Sequence, residues 1–133
     1  MFGKKTARAL NRIDSLVGAG TRIDGDITFS GGLRVDGEIT GNVSSRDNLP
    51  ATLVVSENAR IEGGVSVSHV VVNGTIVGPV HGSEFLELQA KARVTGDVEY
   101  TSIEIHLGAI VQGRLVHQGV TAKTVELRLA SKN

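Results

Sequence analysis

The stretch Arg22-Ile23-Asp24-Gly25-Asp26-Ile27 returns as Arg60-Ile61-Glu62-Gly63-Gly64-Val65 and again as Arg93-Val94-Thr95-Gly96-Asp97-Val98. Its kernel is apolar-x-Gly-x-apolar. The same kernel occurs between these copies, as Val35-Asp36-Gly37-Glu38-Ile39, Val72-Asn73-Gly74-Thr75-Ile76 and Val111-Gln112-Gly113-Arg114-Leu115. A chain that repeats itself in this way folds as a stack of like units, because one unit alone cannot bury its apolar face. A stack has two ends, and the end units each lack a neighbour.

The Arg-containing copies start 38 and 33 residues apart, and the intervening copies follow their partners by 12, 11 and 17 residues. Apolar residues alternate instead of recurring at helical spacing. Ile23, Ile27 and Phe29 share one parity, as do Leu33, Val35, Ile39 and Val43. Period two is the mark of extended strand. Glycine interrupts these short strands, and its lack of a Cβ permits a bend between them. Three such faces would make one turn of ~17–18 residues, so the 12-residue offset is two faces and the 17-residue offset a full turn. Turns stack at ~4.8 Å, so roughly 100 repeat residues make about six turns and a rod ~30 Å long. The expected fold is an all-β parallel β-helix with Val, Ile and Leu ladders in its bore. Spacing alone leaves its handedness open.

Composition supports a narrow aliphatic bore. Aromatics make up 3% of the 133 residues, and 17 glycines accompany only two prolines. The net charge is zero, which gives no global case for nucleic acid. There is no cysteine, hence no disulfide and no thiolate chemistry. No apolar run reaches the ~20 residues a membrane-spanning helix needs, and Lys4, Lys5 and Arg8 break the first apolar residues as no signal peptide would.

The chain divides into three zones. Residues 1–19 lack the repeat and carry Lys4, Lys5, Arg8 and Arg12 before the first acid, Asp14, behind an apolar Met1-Phe2. They read as a basic flexible tail or a membrane-targeting segment, in which Phe2 inserts and the cations attract anionic lipid at ~1 kcal/mol each. Leu10, Ile13, Leu16 and Val17 form a weak apolar stripe at helical spacing. Residues 20–117 are the repeat, with a bulging loop expected at 44–50. Phe85–Ala90 reads as a strand after turns at Gly78-Pro79 and Gly82. Residues 118–133 are a flexible tail or a last strand, in which Val125, Leu127 and Leu129 alternate with Glu126 and Arg128.

The search for chemistry finds no P-loop, no nucleophile elbow and no His-Glu-x-x-His. Catalytic, cofactor and metal residues are all expected to be none. His69, His81, His106 and His117 sit at unrelated phases of the repeat with no surrounding carboxylate pattern, and read as surface histidines. Asp24, Asp26, Asp36, Glu38, Glu62 and Asp97 flank the motif glycines as solvated turn acids. Arg22, Arg60 and Arg93 hold equivalent motif positions and suggest a ladder on one outer face, screened by Asp26 or Glu62.

Gly20-Thr21-Arg22-Ile23-Asp24-Gly25-Asp26-Ile27 and Leu33-Arg34-Val35-Asp36-Gly37-Glu38-Ile39-Thr40-Gly41-Asn42-Val43, with the later Ala-Arg-x-x-Gly runs at 59–63 and 92–96 and the closing run 103–113, resemble the bactofilins, bacterial polymer-forming cytoskeletal proteins. The resemblance covers about residues 18–117, and Met1-Phe2-Gly3-Lys4-Lys5 is similar to the family's membrane-targeting tail. It implies a right-handed parallel β-helix. It also implies end-to-end, nucleotide-independent, non-polar filaments in the cytoplasm, at the inner face of the cytoplasmic membrane, serving cell shape or cell-wall and appendage machinery. The expected partners are other copies of the chain, an anionic membrane surface and morphogenesis proteins.

With this, the end coils become the candidate polymerisation interface, because uncapped solenoid ends template association. The candidates are Ile23, Ile27 and Phe29 at one end and Val111, Leu115, Val125 and Leu127 at the other. Met1, Phe2, Lys4, Lys5, Arg8 and Arg12 are the membrane-binding candidates. Two other readings are a trimeric left-handed β-helix enzyme (an acyltransferase or zinc hydratase), which a strict glycine hexad would favour, and a monomeric β-helical adaptor.

Overall fold

The computed structural model describes residues 13–118. They form six coils of a parallel β-solenoid, each with three strand faces. Coil one is β1 (Ser15–Val17), β2 (Arg22–Asp24) and β3 (Ile27–Phe29), and coil two is β4 (Gly31–Val35), β5 (Glu38–Thr40) and β6 (Val43–Ser45). β7 (Ala51–Val55) and β8 (Arg60–Glu62) begin coil three, and β9 (Val65–Val72) carries the chain over into coil four. β10 (Thr75–Val77) follows, then β11 (Val80–Leu88), β12 (Arg93–Thr95), β13 (Val98–Ile105), β14 (Ile110–Gln112) and β15 (Leu115–His117). The long strands β9, β11 and β13 each run from the third face of one coil to the first face of the next. The first and third faces therefore join in one nine-stranded sheet, and the second face is a separate six-stranded sheet.

Every pairing is parallel, and the register holds throughout except for a shift in β11 between Gly82 and Phe85. On the second face Ile23, Ile39, Ile61, Ile76, Val94 and Val111 form one column. On the third, Ile27, Val43, Val65, Val80, Val98 and Leu115 form another. Side chains of the middle coils are sealed, with Ile61, Ile76, Val43 and Val98 all at 0% exposure. Burying one such side chain contributes ~1.5–3 kcal/mol.

The repeat kernel marks two different corners. Gly25, Gly63, Gly96 and Gly113 end the second face, where Gly41 and Gly78 complete the column; Gly37 and Gly74 instead open it. At Gly63 φ is +150°, and an added Cβ would lie closer than 3.0 Å to the carbonyl oxygen of Gly41 in the coil below. Backbone approaches backbone at this corner, so a side chain has no room.

The corner before the second face takes two sizes, which alternate over the first five coils. Coils two and four turn tightly, through Asp36-Gly37 and Asn73-Gly74. Coils one, three, five and six take a four-residue turn closed by Thr21 N–H to Gly18 O, Ala59 N–H to Ser56 O, Ala92 N–H to Gln89 O and Ala109 N–H to His106 O. Ala59 and Ala92 pack inward at 2% and 0% exposure, which is why an Ala precedes Arg60 and Arg93. Over the first five coils the sequence period is thus two coils, and coil six repeats the wide corner of coil five. Lys91 Nζ meets Glu57 Oε1 at 2.7 Å, bridging two wide corners across the tight one between them.

Several expectations change at this level. The column through Arg22 and Arg60 runs Arg22, Glu38, Arg60, Thr75, Arg93, Ile110, so arginine recurs on alternate coils instead of stacking directly. Arg22 pairs with Asp24 at 3.3 Å, not Asp26, and Arg60 pairs with Glu62 at 2.8 Å. Leu16 and Val17 belong to β1, which pairs with β4, and not to a helix. β1 also lies upstream of Gly20, within the segment read as a tail. Gly82 sits inside β11 at a register shift instead of a turn. The inserted loop is a 3₁₀ turn at Arg46–Asn48, and it lengthens one coil so that Glu38 pairs with Arg60, 22 residues on.

Side-chain oxygens stitch the corners where a residue's N–H has no ladder partner. Asp26 Oδ1 accepts from Asn42 N–H at 2.9 Å, Asn42 Oδ1 from Gly64 N–H at 2.8 Å, and Asp97 Oδ1 from Arg114 N–H at 3.0 Å. The Arg114 N–H and then its guanidinium, 3.2 Å away, hold the Asp97 carboxyl below its ordinary pKa. Asp36 is likewise lowered, first by its hydrogen bond from Ser56 and then by Arg34.

Ile76→Ala should lower unfolding free energy by ~2–5 kcal/mol in a denaturant titration, since the bore cannot collapse around the cavity. Gly63→Ala should be strongly destabilising. Gly18→Ala, where an added Cβ meets nothing within 4 Å, should stay within ~0.5 kcal/mol of the parent. Equal effects at the two glycines would contradict the close approach.

A depressed carboxyl contributes stability above its unfolded pKa of ~3.9, and that contribution disappears as pH falls through the folded value. Asp97→Asn keeps the acceptor, as Asn42 does three coils earlier, and loses the titration. Its melting temperature should therefore fall less than the parent's between about pH 5 and pH 2.

Candidate assembly surfaces at the two ends

Burial drops at the two ends of the columns through Ile23 and Ile27, while on the first face Val17 at the N-terminal end stays buried at 7% exposure. On the second face Ile39 and Val94 are 1% exposed, while Ile23 and Val111 in the end coils are half-buried. On the third face Val43 and Val98 are at 0%, Ile27 is half-buried, and Leu115 is 46% exposed. On the first face Leu86 and Leu88 are sealed at 0%, yet Ile103 is half-buried and Ile105 reaches 46%. These residues occupy the same register as their sealed neighbours. What differs is that, among the described residues, no coil covers them on one side.

The sequence candidates separate accordingly. Ile23, Ile27, Val111 and Leu115 lie on the open ends. Phe29 lies in the first coil but is 8% exposed, its ring committed to the core above Ser45, its register partner. Val125, Leu127 and the membrane candidates Met1, Phe2, Lys4, Lys5, Arg8 and Arg12 lie outside the described residues. The C-terminal end also presents Ile105, Ile110 and a 96% exposed Leu107 at the last wide corner. The alternation Ile103-Glu104-Ile105, in register with Leu86-Glu87-Leu88, was the signal for Ile105. Leu107 had none, because a turn tip has no fixed parity.

The histidines are not bare surface groups. His81 Nδ1 lies 3.2 Å from Glu99 Oε1, the His117 ring meets Tyr100 at a tilt of 47° with centroids 5.7 Å apart, and His106 meets two carboxylates, Glu104 and Glu87. The expectation of no carboxylate around them fails because stacking sets Glu99 beside His81, 18 positions away, and Glu87 beside His106, 19 positions away, while Glu104 lies only two residues before His106. Among the described residues Glu87, Glu104 and His106 bring three metal-type ligand atoms within 4.8 Å of one another. No helix among the described residues is long and apolar enough to cross a membrane.

The sequence matches the family model "Bactofilin: Polymer-forming cytoskeletal" over residues 15–116, from the first strand to the last. It is 29% identical over 112 residues to Bactofilin BacP of Myxococcus xanthus, covering 84% of this chain and 45% of BacP. It is 26% identical over 114 residues to Bactofilin BacO of the same organism, covering 86% of this chain and 85% of BacO. The chain thus spans less than half the length of one of these relatives and most of the other. No solved structure matches. The matched residues span all six coils of the solenoid, and the chain belongs to the bactofilin family of polymer-forming cytoskeletal proteins.

Proposed function

We propose that this protein assembles end to end through the open bores of coils one and six, into nucleotide-independent filaments that scaffold cell-shape or cell-wall and appendage machinery at the inner face of the cytoplasmic membrane. The observation that carries the reading is the loss of burial at both ends of the second- and third-face columns through Ile23 and Ile27, which are sealed between. An end coil leaves both its aliphatic side chains and one row of backbone N–H and C=O groups without a neighbour. A second copy restores both. First end on first end and last end on last end are each two-fold contacts, and alternating them gives an open filament without polarity.

Purified protein should form long threads in negative-stain electron microscopy without nucleotide, and these should persist in EDTA and apyrase. A monodisperse small oligomer at every salt concentration would overturn the reading. Leu115→Arg places an unpaired charge at the C-terminal contact, where burial costs several kcal/mol. Leu115 is half-exposed in the single chain, so the fold should survive. Ultracentrifugation should then find dimers joined through the other end. Long filaments from this variant would place the contact elsewhere.

The membrane contact is assigned to the basic N-terminal segment. The support is its charge, four cations before Asp14 beside Phe2, on a chain of zero net charge. Deleting residues 2–12 should abolish co-sedimentation with anionic liposomes and leave filaments intact. Phe2→Ala, and Lys4→Glu with Lys5→Glu, should each weaken binding, as should added salt, because neither the apolar nor the electrostatic contribution suffices alone. Unchanged binding after the deletion would move the contact onto the rod.

A further inference from the structure

The last two coils carry a polar cluster that assembly does not use. Glu87 and Glu104 are direct ladder partners on neighbouring coils, both facing outward from the first face. Two carboxylates so placed repel each other, and like charges directly opposite in a sheet are destabilising. One imidazole lies against both. His106 Nε2 is 2.9 Å from Glu104 Oε2 and 3.2 Å from Glu87 Oε2. Gln89, which occupies in coil five the corner position His106 holds in coil six, donates to Glu87 Oε2 at 3.2 Å.

We propose that Glu87, Glu104 and His106 form a binding site for a divalent first-row transition cation, with zinc the best match. Zinc takes imidazole nitrogen and carboxylate oxygen at ~2.0–2.2 Å in a tetrahedron, which sets neighbouring ligand atoms ~3.4 Å apart. The two His106 contacts fall near that spacing. A doubly charged ion between the three groups cancels the repulsion that the ladder imposes on the glutamates, and the imidazole favours zinc over calcium or magnesium, which prefer all-oxygen ligands. Gln89 donates to Glu87 Oε2, the oxygen that also faces His106, and so helps hold that carboxylate in place, as outer hydrogen-bond partners do around metal ligands. The side chains remain partly open, 40% exposed for His106 and 57% for Glu104, so an ion can enter and keep a water in its fourth position. The ion would clip coil six to coil five beside Ile105. It is not required for the end-to-end contact, so this site and the assembly reading stand or fall separately.

The test is equilibrium dialysis of the chelator-stripped full chain against ZnCl2, with metal analysis and melting temperature as readouts. The parent should take up one zinc per chain and melt higher with zinc than without. His106→Gln, and Glu87→Gln combined with Glu104→Gln, should each weaken uptake at least ~10-fold. His81→Gln, which removes a histidine facing Glu99, should bind zinc as the parent does. Circular dichroism of the metal-free variants checks that each is folded. No uptake by the parent at 100-fold molar excess, undiminished uptake by folded His106→Gln, or equal affinity for CaCl2 would overturn the site.

Discussion

The structure depends on one contact, the backbone-to-backbone stacking of each coil on the next. Strands in register at every level require that the chain turn at the same three places each time, and the tightest of these turns brings one coil against the carbonyl of the coil below. Gly63 over Gly41 and Gly78 over Gly63 show the constraint, since no Cβ fits there. Once these corners are set, the bore columns follow. A residue placed inward in one coil is placed inward in all of them, and the aliphatic side chains meet their own kind above and below.

Function grows out of the same regularity. A solenoid built from nearest-neighbour contacts has interior coils that differ little, and ends that differ from the interior only by a missing neighbour. Ile76 and Val111 share one column and one chemistry, yet one is sealed and the other half-open. The surface suited to self-association is therefore an unfinished core, not a specialised patch. This agrees with membership of a polymer-forming family. The outer faces are free to carry other chemistry, as the Glu87–Glu104–His106 cluster does.

Parity and glycine spacing revealed the strands, the three-face turn and the two-coil period because these are local properties of the chain. The 12-residue step from Ile23 to Val35 does cross two faces, and the 17-residue step from Val94 to Val111 does close a turn. The failures were non-local. Two kinds of corner share the kernel apolar-x-Gly-x-apolar, so Gly37 and Gly63 look alike in sequence while opening and closing the same face. Phe29 was counted with the end residues, but its ring is buried within its own protomer.

The sequence by itself determined that this chain is a stack of short parallel strands around an aliphatic bore, because alternation and recurring glycine admit little else. Only the tertiary structure decided who neighbours whom across coils. Register depends on the length of every corner, and the 3₁₀ insertion at Arg46–Asn48 lengthens one turn without shifting any column. That register sets Glu38 between two arginines, seats His106 against two glutamates, and leaves Ile105 and Leu115 half-exposed at the last turn. Apart from the short-range contact of Glu104 with His106, distances of that kind are sums over loops, and no local pattern in the chain records them.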